Sequence, residues 1–313
     1  SVQKKFQRLP LTAGAGFVFV TRIFRRDSNV ITVHTLASGS EGNCLVIDAE
    51  GTRILVDAGI STRRIKTALE QLGIALAQVD AILITHEHSD HISGLQTLVK
   101  RHRIPIYASP ATACQLAWRI TGIGPMLREV QRLTPFTVGA ARITPFETSH
   151  DAAGSIDYRI DAAGGSVGIL TDTGLITDEA ADVLAGASLL MLESNHDEEC
   201  LRSGPYPYSL KQRILGPLGH LSNDAAAAFA AQMARLGTRE IVLAHLSREN
   251  NTPAMALERV GRALSGTGVR LSAAPRRELG GPYIVEVSNA KGQHPLCGET
   301  EGEVLPRCRG GIQ

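Results

Sequence analysis

No apolar run in this sequence reaches the roughly 18 residues that a membrane-spanning helix needs, so no segment qualifies as a span. A strong charge of either sign is also missing: 32 basic residues stand against 31 acidic ones, a net charge of +1. No global field therefore attracts nucleic acid or an anionic membrane, although a local basic rim around a cleft could still steer a polyanion. Cysteine is scarce and unpatterned. The five, Cys44, Cys114, Cys200, Cys297 and Cys308, are odd in number and contain no Cys-x-x-Cys pair. A disulfide framework and a structural zinc knot are disfavoured, and a reducing, cytoplasmic setting fits best. Internal linkers and short-period repeats are absent as well.

What the chain does have is glycine, 31 residues of it, which favours tight turns over long helices, and enough length to bury a sizeable core. Residues 1–30 are basic up to Asp27 and hold a short apolar patch, Ala13 to Val20. A targeting segment is one reading; a disordered extension is preferred, because the patch is short and more arginine follows it. Residues 287–313 are Gly-rich and aperiodic and are expected to be disordered. Between them, residues 31–286 alternate short apolar strands with helices, twice over. ITVHTLA, CLVIDAEG, TRILVDAG and AILIT read as strands, and Ser61 caps a helix that ends near Gly73. ISGLQTLVKRH reads as one helix, the segment around Val130 to Leu133 as a strand, and REIVLAHLS as the final strand. Two sheets with helices on their outer faces make a single α/β sandwich.

The chemistry is concentrated in Thr85-His-Glu-His-Ser-Asp-His91, directly after an apolar strand. A loop at a sheet end can aim several side chains at one point, and imidazole with carboxylate suits zinc or manganese. A polar loop with fortuitous histidines would explain one histidine but not His86, His88, Asp90 and His91 together. Two ions sharing a hydroxide need about seven or eight protein groups. The remainder should come from later strand ends, where His150, Asp172 and His245 each follow an apolar run.

With these positions the chain resembles the metallo-β-lactamase superfamily from about Ile31 to Val285. The resemblance implies a four-layer αββα sandwich with a dinuclear centre. Site one would take His86, His88 and His150; site two would take Asp90, His91 and His245, with Asp172 bridging. Asp57 in Leu-Val-Asp-Ala-Gly would support the metal loop without ligating. The centre would supply hydroxide from a bridging water near neutral pH.

SGSEGN (38–43), LVDAGIS, THEHSDHISG, ESNHD (193–197) and GHLSN (219–223) jointly resemble the YycJ/WalJ-type branch, which implies 5′ to 3′ exonuclease action on double-stranded DNA. The stretch between Asp172 and His245 is already filled by helix, strand and helix, so the inserted domain of β-CASP nucleases has no room. An arm like that of tRNA 3′-processing enzymes would have to be the short segment 203–220. Asp90, His196 and His220 are the candidate catalytic residues; one of the two histidines would protonate the leaving oxygen, or else hydrogen-bond a ligand. Arg63, Arg64, Lys66, Lys211 and Arg213 are candidate phosphate contacts or solvated helix faces, whereas Lys100, Arg101 and Arg103 suit a helix C-terminus. The alternatives are a small-molecule acyl hydrolase on the same metals, an RNA-processing nuclease, or a metal-free binding protein. A homodimer is an open option.

Overall fold

The computed structural model describes residues 30–286. The expectations placed on the termini, 1–29 and 287–313, lie outside the described residues. Six strands come first: β1 (Val30–Ala37), β2 (Cys44–Ala49), β3 (Thr52–Val56), β4 (Ala81–Leu83), β5 (Ile106–Ala108) and β6 (Leu127–Glu129). Eight more follow: β7 (Phe136–Val138), β8 (Ala141–Glu147), β9 (Ile156–Ala162), β10 (Gly165–Leu170), β11 (Leu189–Glu193), β12 (Glu240–Ala244), β13 (Arg270–Ala273) and β14 (Gly280–Glu286). One sheet runs β14-β1-β2-β3-β4-β5-β6 and the other β13-β12-β11-β10-β9-β8-β7. The helices are α1 (Thr62–Gln71), α2 (Ser89–Ile92), α3 (Leu95–Arg101), α4 (Pro110–Arg119), α5 (Asp178–Leu184), α6 (Glu198–Ser203), α7 (Tyr208–Leu215), α8 (Asn223–Arg235) and α9 (Pro253–Ala263).

The strands that read as continuous apolar runs are covered on both faces, as parallel strands in layered folds are. Alternate residues serve different layers. In β11, Leu189 and Met191 join the core between the sheets, whereas Leu190 and Leu192 pack outward among residues of α5, α8 and α9. In β3 and β4 the same division sends Ile54, Val56 and Leu83 inward, and Leu55 and Ile82 out towards Ile65, Leu69 and Leu95. Three apolar layers between four structural ones make the αββα sandwich. Pairing of β3 with β4, and of β10, β11 and β12, is parallel, so their C-terminal ends fall along one rim.

Local signals mostly act as expected. Ser61 accepts a hydrogen bond from Arg64 N, and Ser222 caps α8. Glu50 and Gly51 both take positive φ, 56° and 89°, the requirement of a two-residue hairpin turn. Three readings need correction. The helix read through ISGLQTLVKRH is two, α2 and α3, broken at Ser93–Gly94, because Gly94 N donates to Ala58 O while its helical acceptor, Asp90 O, takes Asn43 N. The strand expected at Val130–Leu133 lies earlier, at Leu127–Glu129, and Leu133 turns with φ 56°. The strand at 240–244 is not the last: β13 extends the second sheet and β14 returns to β1 in the first. Among the described residues no helix is long and apolar enough to cross a membrane, and Cys44, Cys114 and Cys200 are free thiols.

Tyr158 links the layers at the root of the site. It is fully buried, and its hydroxyl donates to Ile84 O at 2.7 Å, just before the His-rich loop. Tyr158→Phe should cost about 1–2 kcal/mol, a melting-point drop of a few degrees, with the circular dichroism spectrum unchanged. An unchanged melting temperature would show that this bond does not hold the loop.

Candidate metal centre

The site residues sit where strands end at the rim. Asp57 follows β3, the Thr85–His91 loop follows β4, His150 follows β8, Asp172 follows β10, Glu193 ends β11 and His245 follows β12. Asp57, Asp172 and His245 have φ of 61°, 51° and 53°, a left-handed conformation uncommon outside glycine and concentrated at functional sites. Each turns the chain sharply as it leaves its strand.

Asp57 braces the loop. Its carboxylate accepts from Thr85 N at 2.9 Å, from Thr85 Oγ1 at 3.0 Å and from His91 Nδ1 at 2.7 Å. The next turn, Ala58–Ile60, lies against the loop backbone: Ala58 N donates to His91 O and Gly94 N to Ala58 O, both at 2.8 Å. A Cβ on Gly59 would fall 1.6 Å from Asp90 O, so only glycine allows this approach. From the Ser38–Asn43 loop, Asn43 N donates to Asp90 O at 2.8 Å; Asn43 Nδ2 lies 3.4 Å from Asp90 Oδ2 and 3.0 Å from His91 Nε2. The SGSEGN and LVDAGIS motifs are thus the two sides of a mould for the His-rich loop.

Most imidazoles are tied through Nδ1. His86 Nδ1 meets Thr85 Oγ1 at 3.0 Å, His150 Nδ1 meets Gly219 O at 3.1 Å, and His245 Nδ1 meets Glu193 Oε1 at 3.1 Å. Such partners fix the tautomer and turn Nε2 to the centre. His88 is turned the other way, its Nδ1 3.3 Å from His150 Nε2. The donor atoms of His86, His88 and His150 lie within 4.8 Å of one another, as do those of Asp90, His91 and His245; Asp172 joins His86 and His91 at the same spacing. The structure therefore brings together all seven residues expected as ligands.

Asp172, Glu193, His220 and His245 form a further cluster. Glu193, fully buried, accepts from His220 Nδ1 at 2.8 Å and, through Oε2, from Thr173 N at 2.8 Å. Glu193 is not among the donors expected from the sequence, although it ends the apolar run ASLLMLE as Asp172 and His245 follow theirs. His196 is buried where the ESNHD and GHLSN segments meet, its backbone bridged to Ser222 and neither ring nitrogen hydrogen-bonded. It belongs to none of the clusters, and burial pushes it down to about 4. Of the basic candidates, Arg213 Nε donates to Asp151 Oδ2, Lys211 Nζ to Arg202 O and Arg64 Nη2 to Arg277 O. Arg103 lies past the end of α3.

The residues fit divalent cations. His86 Nε2, Asp172 Oδ2 and His245 Nε2 are buried and have no hydrogen-bond partner; His245 Nε2 stands 3.6 Å from both Asp90 Oδ2 and Asp172 Oδ1. Unpaired buried polar atoms are costly, and a cation among them satisfies nitrogen and carboxylate alike. The charges agree. Burial opposes a proton on His91 and His245, yet Asp57 and Asp172 raise His91 well above the imidazole range, and chiefly Asp172 raises His245 to about 10. Burial would raise Asp172, and His245 with His91 hold it well below the carboxylate range. Burial, with the neighbouring His91, keeps His86 neutral. The cluster is a divalent-cation site.

A β-lactamase superfamily domain model matches residues 52–246, and with this fold and rim of donors the chain belongs to the metallo-β-lactamase superfamily. Within it the chain is a YycJ/WalJ-type member. It is 37% identical over 234 residues to exodeoxyribonuclease YycJ of Bacillus anthracis, covering 74% of this chain and 89% of that protein. It is 38% identical over 248 residues to exodeoxyribonuclease WalJ of Streptococcus pneumoniae strain D39, covering 75% and 90%. The fold is also that of the metallo-β-lactamase fold protein YhfI from Bacillus subtilis, with a TM-score of 0.62 at 19% identity over 80% of this chain and 99% of that one.

Raised imidazoles carry protons that a cation must expel. Below about pH 10 the metal-free protein holds a proton on His245, so affinity should rise with pH from 6 to 9. Calorimetric titration with zinc in two buffers of different protonation enthalpy should show net proton release at pH 7.5, with His245 and His91 as its sources. Zero net release would contradict this assignment of charge.

Proposed function

We propose that this chain is a metal-dependent exodeoxyribonuclease that degrades duplex DNA from the 5′ end, using two zinc or manganese ions. What carries the reading is its identity of 37–38% to two exodeoxyribonucleases across nine tenths of their length, joined to a complete set of donors. His86, His88 and His150 would hold one ion, Asp90, His91 and His245 the other, and Asp172 would be shared. When bound, the ions activate water as a nucleophile near neutral pH and draw charge from the scissile phosphate.

The remaining tasks fall to the chain's own groups. His220 is the proton donor to the leaving oxygen: Glu193 fixes its Nδ1, while Nε2 has no hydrogen-bond partner among the described residues and the ring lines the cleft beside His150. His196, with its low pKa and buried ring, takes no acid role. The substrate backbone meets a local basic rim in spite of the small net charge. Arg248 and Arg277 flank the Ser38–Asn43 loop by pairing with Glu41, Arg64 touches Arg277 O, and Arg213 stands on the opposite side at Asp151.

Purified protein with manganese should release the labelled terminal nucleotide from a 5′-labelled duplex and progressively shorten a 3′-labelled strand, and cleavage only of a chromogenic lactam or thioester would sink the reading. Asp172→Ala should lose metal from both sites by mass spectrometry and fall at least about a thousandfold in turnover; retention of both ions would refute the bridging role. His220→Ala should keep its metal and lose about 100-fold or more in kcat. Loss of metal in that variant would instead make His220 a ligand.

A further inference from the structure

Beside the donors, towards α6 and α7, lies a cavity of about 170 Å³. Of the seven donors only His150 lines it, together with Asp151, Asn195, Ser40, Ser247 and His220. The segment that carries α7 adds Tyr206, Leu210, Arg213, Ile214 and Leu218. The volume is below the range of about 300–1,000 Å³ that encloses a drug-sized ligand, and the cavity opens to solvent, so it seats at most one unit of a polymer, partly exposed, and not a length of it.

Its outer wall is built unusually. No residue of α7 is buried, and Leu218 is 52% exposed, so these apolar side chains serve the cavity and not the core. Polar ties hold the wall to the His150 loop: Arg213 Nε to Asp151 Oδ2, Ser149 Oγ to Pro217 O and His150 Nδ1 to Gly219 O. The segment closes on itself where His220 N donates to Ile214 O, and a Cβ on Gly219 would stand 2.2 Å from that oxygen. Arg213 spends only Nε on Asp151; its two terminal nitrogens have no partner among the described residues.

We propose that this cavity receives the terminal nucleotide of the DNA strand being cut. Its base and sugar lie against Tyr206 and the Leu210, Ile214 and Leu218 side chains, and Arg213 meets the phosphate at the strand's outer end. The α7 wall then stands one nucleotide beyond the scissile phosphate and blocks a continuing strand, which restricts cleavage to ends. His220, lining the same cavity, faces the oxygen through which that nucleotide leaves. The proposal rests on the exonuclease reading above, and its test separates the two.

The double variant Tyr206→Ala/Leu210→Ala, both positions half-buried, is compared with the unaltered protein after its metal content and melting temperature are matched. Two phosphodiesters are used: the 5′-phosphorylated thymidine dinucleotide, and methyl 4-nitrophenyl phosphate, which has no nucleoside. The variant should lose about tenfold or more in kcat/KM on the dinucleotide, the size of one base–aromatic stack, and nothing on the methyl ester. Equal loss on both, or loss on neither, overturns the pocket. Equilibrium dialysis with thymidine 5′-monophosphate gives a readout without turnover. The double variant should bind it about tenfold more weakly, and Arg213→Gln should weaken the monophosphate but not thymidine. Equal binding by all three proteins, or none by the unaltered one, also overturns the pocket. If the unaltered protein cleaves neither diester nor a DNA duplex, the exonuclease reading fails, and the dialysis still decides whether the cavity holds a nucleotide.

Discussion

The centre depends on one buried carboxylate. Asp57 receives three hydrogen bonds from the loop after the neighbouring strand, two of them from Thr85 and one from His91. A desolvated carboxylate is stable only when so satisfied. The consequence is positional: with Nδ1 on Asp57, His91 has one direction left for Nε2, towards Asp90 and Asp172. Asp57, Asp172 and His245 hold a backbone geometry that costs on the order of 1–3 kcal/mol each. Strands β3, β10 and β12, buried on both faces in the apolar layers, provide the rigidity that keeps them there. The strain is local, and the packing that sustains it is spread over the whole sandwich.

That division explains what could be read from the sequence. A donor at the end of an apolar run is visible in one dimension, because the run marks the strand and its end marks the rim. His86 to His91, Asp172 and His245 were legible on that ground. Glu193 satisfies the same rule but lay inside a motif valued for its likeness to relatives, and its partners His220 and His245 are distant in sequence. The break between α2 and α3 has its cause outside the segment, in Ala58 O and Asn43 N, which take the two partners of the missing helical bond. β13 and β14 were not read as closing strands because β13 is only half-covered and lacks the apolar signature of a central strand. α7 has no buried face, so the periodicity that announces a helix is weak there, and the Pro and Gly residues of 203–220 hide it.

The two walls of the cleft differ in how they are held. On one side, the Ser38–Asn43 and Asp57–Ile60 loops meet the donors through backbone hydrogen bonds and glycine contacts that tolerate no side chain. On the other, the α6–α7 segment is attached by an exposed arginine pair and a few bonds to carbonyls. Local stability follows buried apolar contact, so the second wall is the part most easily changed without loss of the centre. A fold that hosts many reactions needs this asymmetry. The donors must stay within a few tenths of an ångström of their places, whereas the groups that choose a substrate must be free to differ between relatives. Placing the acid on His220 joins the two regions, since Glu193 anchors its ring to the rigid sheet while Gly219 and Ile214 tie its backbone to the wall. On the proposed reading, a substrate seated against α7 would meet the same imidazole that the sheet has oriented, and recognition of the strand's end would be coupled to the geometry of bond cleavage.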